Sequence, residues 1–325
     1  MKLNTNILAM YSVRNLMATG LKQKTALERL SSGKKINRAA DNAAGYAIAK
    51  KMALQSSGLK MASKNSLDGI SLIQTAEGAL DEVHSMLQRM RELSVQASNG
   101  TNNIEDREAI QKEINQLTSE ISRIGKTTEF NQMKMFSSKN EDGTYKPTMN
   151  IPVQAGANAK QMVDIEFQEM AAFTLKISGQ VAGGQVEDLS NPSVPPAPPN
   201  HITDAKYTTV DNVVPRYDDT KPEYSLDVTS QKTANAAIAV YSNAISKISE
   251  IRSILGAAQN RFEHNIKSLN AAEENVTSSM SRIEDADMAE EMTEFTKYNI
   301  LQQAGTSMLA QANQLPQTVL KLLES

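Results

Sequence analysis

Between Tyr241 and Val276 a large apolar residue returns at every seventh position: Tyr241, Ile248, Leu255, Phe262, Leu269 and Val276. Ile238, Ile245 and Ile266 support the series at a companion position, while Arg252, Gln259 and Glu273 interrupt it. A strict seven-residue repeat drifts around a straight helix, so it keeps one seam only on a long helix wound left-handedly around others. Such a helix is not stable by itself, because its order depends on burying the seam. The rest of the chain must supply its partners.

Three further stripes qualify. Leu3, Ile7, Met10, Val13, Met17 and Leu21 recur at helical spacing near the start, before the polar break SSGKKINRAADNAAG at 31–45. Ile73, Ala76, Leu80, Val83, Leu87 and Met90 then step by threes and fours until Asn99 and Gly100, a helix stop. After the turn NGTNN, Ile110, Ile114, Leu117, Ile121 and Ile124 share one face, and Asn103 with Asp106 three residues on forms an imperfect capping box. The tail carries a fourth: Leu301, Ala304, Met308, Ala312, Leu315, Val319 and Leu322, in a stretch with almost no charge. Nine of the ten prolines lie between Pro147 and Pro222, so two helical arms flank a different middle. The tenth, Pro316, is expected to start or kink a final turn.

In the middle the period shortens. MNIPVQAG and MVDIEFQEM, within 149–170, read as a hairpin or two short strands joined through Gly156 and Asn158. From about 178 to 225, Gly, Pro, Asp and Asn dominate, and NPSVPPAPPN favours extended chain over a packed core. This piece is either a small β module or a surface loop.

The composition excludes much chemistry. With no Cys there is neither disulfide nor thiolate, and with no Trp and 4% aromatics the chain suits thin helices packed side by side. A net charge of -3 gives no reason to expect nucleic acid or an acidic membrane as the main partner. No window approaches the roughly 18 apolar residues of a membrane span, and Asn4, Thr5 and Asn6 interrupt any cleavable export signal. His84, with Asp81 a turn before it, lacks a second histidine nearby, and HExxH is absent. SGKK at 32–35 fails as a phosphate loop because position 28 is Glu. The acidic run RIEDADMAEEMTE lacks calcium-loop spacing and reads as a solvated helix face. No metal, cofactor or catalytic residue is expected.

Charge does distinguish the two ends. Residues 1–40 carry eight Lys and Arg against Glu28 alone, and residues 281–325 carry three against seven Asp and Glu. Opposite charge favours the first helix lying against the last, within one chain or between neighbours.

LNTN at 3–6, ERLSSGKKINRAADNAAGYAIA at 28–49, LQRMRELSVQASNGTN at 87–102, LGAAQNRFEHNIKSL at 255–269, SRIEDADMAEEMTEF at 281–295 and the tail stretch resemble bacterial flagellin. The resemblance covers roughly 1–170 and 230–325, in order, and leaves 175–228 unmatched. It implies a mainly α fold: long antiparallel helices in a coiled-coil bundle formed by both termini, with a small β-hairpin region and a short Pro/Gly-rich variable insertion. The expected divisions are an inner-core helix and loop at 1–43, outer-core helices with the hairpin at 44–172, a surface insertion at 173–229, an outer-core helix at 230–278 and an inner-core helix at 279–325.

What the resemblance implies for function is a secreted, extracellular subunit that polymerises into the helical filament for swimming and is not an enzyme. Its partners would be other copies of itself, the flagellar export apparatus, an export chaperone on the C-terminal tail, and the filament cap and hook-junction proteins. Neither nucleic acid nor membrane insertion is expected. The assembly interface is expected at Leu3, Ile7, Met10, Val13, Met17, Leu21, Leu301, Met308, Leu315, Val319 and Leu322. These stripes cannot offset the backbone entropy of ordering the ends, so the termini are expected to be largely disordered in the free subunit. The resemblance further places recognition by the animal Toll-like receptor for flagellin at Gln88, Arg89, Arg91, Glu92, Leu93 and Glu113. A hook-filament junction protein and a secreted helical adhesin remain the alternatives.

Overall fold

The computed structural model describes residues 6–136, 148–170, 172–187, 201–209 and 223–323. Leu3 and NPSVPPAPPN lie outside the described residues, as do the side chains of Leu315, Val319 and Leu322. The helices are α1 (Ile7–Ser32), α2 (Ala43–Ala97), α3 (Ile104–Thr127), α4 (Gln231–Glu284) and α5 (Met288–Leu323). Between α3 and α4 come the short strands β1 (Glu129–Phe130), β2 (Met133–Lys134), β3 (Thr148–Gln154), β4 (Met162–Gln168), β5 (Ser178–Gly179), β6 (Gln185–Glu187), β7 (His201–Lys206) and β8 (Tyr224–Ser225). Pro316 starts no new segment: α5 begins at Met288 and remains helical past it to Leu323. The chain divides into two compact units, residues 1–60 with 270–325, and residues 61–269.

In the unit of residues 61–269, the stripe Ile73, Ala76, Leu80, Val83, Leu87 and Met90 of α2 is wholly buried. It meets the seven-residue series of α4, where Tyr241, Ile248, Leu255 and Phe262 are buried in the same core. The two helices run antiparallel: Asn265 Nδ2 donates to Ser66 Oγ (3.2 Å), Arg252 pairs with Asp81 (3.0 Å), and Arg91 Nε donates to Ser242 Oγ (3.1 Å). The companion position, however, is not the isoleucine series expected from sequence. Ile238 and Ile245 are only half-buried, and the second line of the seam is Ala237, Ala244, Ile251 and Ala258. Three of these four side chains are alanine, small enough to let neighbouring elements pack closely against α4.

The turn from α2 to α3 is held by capping. Arg107 donates from Nε to the carbonyl of Ala97 (2.9 Å) and from its guanidinium to that of Asn99 (3.1 Å), satisfying carbonyls at the end of α2. The expected box is formed at the start of α3, where Asp106 accepts from the backbone N–H of Asn103 at 3.0 Å.

β3 and β4 form the expected antiparallel hairpin, with Thr148 opposite Gln168 and Gln154 opposite Met162. Its inner face buries Ile165 and Phe167, and Phe167 meets Phe136 edge-on at 6.3 Å. Asn265 of α4 fixes the hairpin by donating to Ala155 O (2.9 Å).

Beyond the hairpin the described residues form a small packed β module, one of the two forms that the sequence left open, while NPSVPPAPPN lies outside them. β5 pairs with β8 and β6 with β7, and Ile177, Val186, Ala205 and Leu226 are buried among the same apolar residues as the helices. Gln111 of α3 ties down its return. Gln111 Nε2 donates to Leu226 O (2.8 Å) and Ser225 Oγ (3.1 Å), and Gln111 Oε1 accepts from the N–H of Val228 (2.8 Å). Among the described residues no helix is long and apolar enough to cross a membrane.

Candidate assembly interface

The unit of residues 1–60 and 270–325 is built on α1 lying antiparallel against α5. Its contacts fall in strict opposite order along the two helices. Asn6 Nδ2 donates to Ala312 O (2.8 Å), Leu16 lies over Gly305, Gly20 faces Gln302, Lys22 Nζ sits 5.9 Å from the Tyr298 ring centre, and Arg29 pairs with Glu291 at 3.0 Å. A β-carbon at Gly305 would come 2.8 Å from Leu16 Cδ1, so the tip of that leucine would have to shift to admit one. The charges agree with the helix dipoles: Arg29 occupies the last turn of α1, and Glu290 and Glu291 the first turn of α5. The charge asymmetry of the two ends is therefore an intrachain pairing.

At the end of this pair two of the quoted motifs meet. Gly33 adopts a left-handed conformation (φ 70°), and its N–H closes α1 on Arg29 O at 2.8 Å. The chain then pairs with the α4–α5 junction. Lys35 N donates to Glu284 O (2.7 Å), Ala286 N donates to Gly33 O (3.0 Å), and Lys34 Nζ reaches Glu284 Oε1 at 2.7 Å. That carboxylate holds Lys34 above the ordinary lysine range. The following loop is ordered by Asp41, whose carboxylate accepts from the N–H groups of Arg38 (2.9 Å) and Asn37 (3.1 Å) and is held below the usual carboxylate range by them.

These contacts correct the reading of RIEDADMAEEMTE as a solvated face at two positions, while Asp285, Asp287 and Glu290 are exposed as expected. The side chains of Glu284 and Glu291 are 9% and 11% exposed, covered by the residues of the SGKK loop and of α1. Sequence spacing could not find them, because each partner lies about 250 residues away in the chain.

The apolar stripes of this pair face outward. Ile7, Met10, Met17 and Leu21 are each about two-thirds exposed, Leu301 and Met308 about half, and Val13 is half-buried. Among the described apolar residues of α1 and α5, only Ala26 and Ala312 are buried. A groove of about 770 Å³ opens along Ile7, Met10, Val13, Met17 and Leu309. Apart from those outside the described set and the half-buried Val13, the residues expected at an interface are thus largely uncovered in the free chain.

The second set lies on α2 and α3. Gln88, Arg89, Arg91, Glu92 and Glu113 are exposed. Arg89 Nε donates to Glu113 Oε1 (3.0 Å) and its guanidinium also pairs with Glu92 (3.5 Å), so the strip is a small charged network. Leu93 differs, being 2% exposed and part of the core. His84 is half-buried and lies 2.8 Å from Gln88 Nε2, while Asp81 is engaged by Arg252. Among the described residues no three His, Asp or Glu side chains gather as a metal site would require.

The family model for the bacterial flagellin N-terminal helical region matches residues 3–141, and that for the C-terminal helical region matches 238–323. The flagellin of Bacillus subtilis is 45% identical over 332 residues, spanning 99% of this chain and 100% of that protein. The chain belongs to the bacterial flagellin family. Another flagellin, from Halalkalibacterium halodurans, is 44% identical over 323 residues, and one from Treponema pallidum is 38% identical over 325, each covering 99% of this chain and 100% of its own. Flagellin is the structural subunit of the flagellar filament, which accounts for the architecture described here: two helical arms, joined through a middle that neither family model reaches.

Proposed function

We propose that this flagellin polymerises by covering the outward apolar faces of α1 and α5 with the same helices of neighbouring subunits. The observation that carries this reading is the exposure of Ile7, Met10, Met17, Leu21, Leu301 and Met308 on one helix pair. Burying such a side chain contributes about 1.5–3 kcal/mol, and ordering each backbone residue costs about 1–2 kcal/mol. Two helices of 26 and 36 residues with so little burial gain full order only when neighbours add the missing faces. Helix formation in the termini is accordingly coupled to assembly. Circular dichroism should register more helix per subunit in polymer than in monomer; equal signals would refute the coupling.

The deciding experiment is electron microscopy of the full chain at high concentration beside a chain lacking residues 301–325. Long helical filaments from the intact chain alone are expected. If both remain monomeric, the surface has another use. Delivery to the filament would follow the flagellar export route, with a chaperone shielding the tail and the cap and hook-junction proteins as later neighbours.

A second reading concerns the exposed network of Gln88, Arg89, Arg91, Glu92 and Glu113, which offers a Toll-like receptor both charges in one strip on the free subunit. Leu93 would act beneath it as support for α2 and not as a contact. Arg89→Ala should weaken receptor signalling by monomers, and undiminished signalling would reject the assignment.

A further inference from the structure

The chain has 16 methionines and no cysteine, so the thioether is its only sulfur nucleophile. Among the described residues, methionine exposure ranges from the buried core to open surface, and Met61 and Met162 in residues 61–269 are also more than half exposed. Met90, Met135 and Met170 are completely buried in the core of residues 61–269. All five methionines of α1 and α5 are open to solvent: Met10 at 66%, Met17 at 67%, Met288 at 49%, Met292 at 52% and Met308 at 60%. Met10 and Met17 line the apolar groove together with Ile7, Val13 and Leu309.

We propose that Met10, Met17 and Met308 are a peroxide-sensitive modification site that switches the subunit between assembly-competent and assembly-incompetent forms. This inference rests on the filament reading above. In the free subunit a thioether sulfur attacks one oxygen of hydrogen peroxide. An S–O bond forms as the O–O bond breaks; sulfur loses two electrons, and the other oxygen leaves as water after proton transfer. The product is the sulfoxide. An apolar, flexible side chain thereby becomes a polar one with a strong hydrogen-bond acceptor. The groove around Met10 and Met17 is lined mainly by apolar side chains, with Tyr11, Arg14 and Asn313 as its polar-ended members and Arg14 stacked on Tyr11, so covering a sulfoxide there would exchange its water for a mostly apolar surface. Leu and Val at these positions would resist peroxide, so methionine is what makes the face oxidisable. Assembly should in turn protect the same residues by covering them, whereas Met90, Met135 and Met170 are protected in either state.

The test treats the full-length monomer with hydrogen peroxide, maps sulfoxides by peptide mass spectrometry and follows polymerisation by sedimentation. Oxidation of Met10, Met17 and Met308 should raise the concentration needed for polymerisation by about tenfold or more. Treatment with methionine sulfoxide reductases should restore growth. In the triple variant Met10→Leu, Met17→Leu, Met308→Leu, whatever its own untreated polymerisation threshold, the same treatment should leave that threshold unchanged. As a second measurement on the unaltered chain, preformed filaments exposed to peroxide should show far less oxidation at these three positions than monomers do.

Undiminished growth of oxidised chains would overturn the inference while leaving the filament reading intact. So would equal loss of growth in the triple variant, or equal oxidation of filaments and monomers. Failure of the untreated chain to polymerise would instead bring down the filament reading, and this inference with it.

Discussion

Within residues 61–269 the helices hide their apolar stripes, and in the pairing of α1 with α5 they display them. Leu80, Leu87, Ile248 and Phe262 are fully buried, while Ile7, Met10, Met17 and Leu21 keep about two-thirds of their surface in water. Both regions use the same helical spacing of aliphatics and methionine, so hydrophobicity does not separate them. The number of neighbours does. α2 and α4 share their core with α3, the β3–β4 hairpin and the short strands, whereas two helices lying side by side can cover only one line of each other. One pattern thus specifies a finished fold where partners are within the chain and an unfinished one where they are not.

The sharpest way to break this contrast is Leu87→Ala. The side chain is completely buried, so its removal leaves a cavity and should destabilise residues 61–269 by about 2–5 kcal/mol in urea unfolding of the monomer. A loss below about 1 kcal/mol would mean that this core is far looser than its burial implies. Next comes Gln111→Ala, which leaves the Val228 N–H and the Leu226 carbonyl without their partner in a buried site. It should cost about 1–3 kcal/mol. Hydrogen exchange should place the faster amides at 225–228 and leave the α2 stripe protected.

Legibility in the sequence followed the same contrast. The α2 stripe was readable to the residue because large aliphatics at threes and fours leave one possible face. The α4 series was readable at Tyr241, Ile248, Leu255 and Phe262, but its second line was not, because alanine carries almost no periodic signal and Ile238 and Ile245 compete for attention. The clamp of Lys34 with Glu284 and Arg29 with Glu291 was foreshadowed only as a charge imbalance, since a pairing over such chain distances has no local signature. In the middle the seven-residue strands β3 and β4 were readable as a hairpin, whereas β5, β6 and β8 are two or three residues long, too short for a period of two to register, and left a β module and a surface loop equally open. Exposure of the terminal stripes was foreseeable only as a missing partner.

Glu169 sharpens the comparison through pH. Burial pushes its carboxyl from 4.5 up to about 7, against an opposing hydrogen bond from the Thr174 hydroxyl at 3.0 Å. Between those pH values the folded unit keeps a proton that the unfolded chain has released, so stability falls as pH rises through this window and levels off above it. The expected loss is about 1–2 kcal/mol, reduced from the full shift because the group retains some solvent. Glu169→Gln should flatten the profile between those pH values when unfolding is followed in residues 61–269. A slope that survives this substitution would assign the pH dependence to another group.

The smallest effect on the isolated subunit is also the most discriminating. Leu21→Ser removes an aliphatic side chain that is 68% exposed on α1 and touches little of its own chain. Substitutions at such sites change stability by no more than about 0.5 kcal/mol, so monomer unfolding should be indistinguishable from the parent. On the proposed assembly polymerisation should nevertheless weaken sharply, because a neighbour would cover this position and a hydroxyl brings no compensating apolar contact there. Leu87→Ala and Leu21→Ser therefore form a crossed pair: one lowers monomer stability, the other raises the concentration needed for filament growth. If Leu21→Ser destabilised the monomer instead, α1 would have a partner within the chain, and its stripe would belong to the fold and not to the assembly.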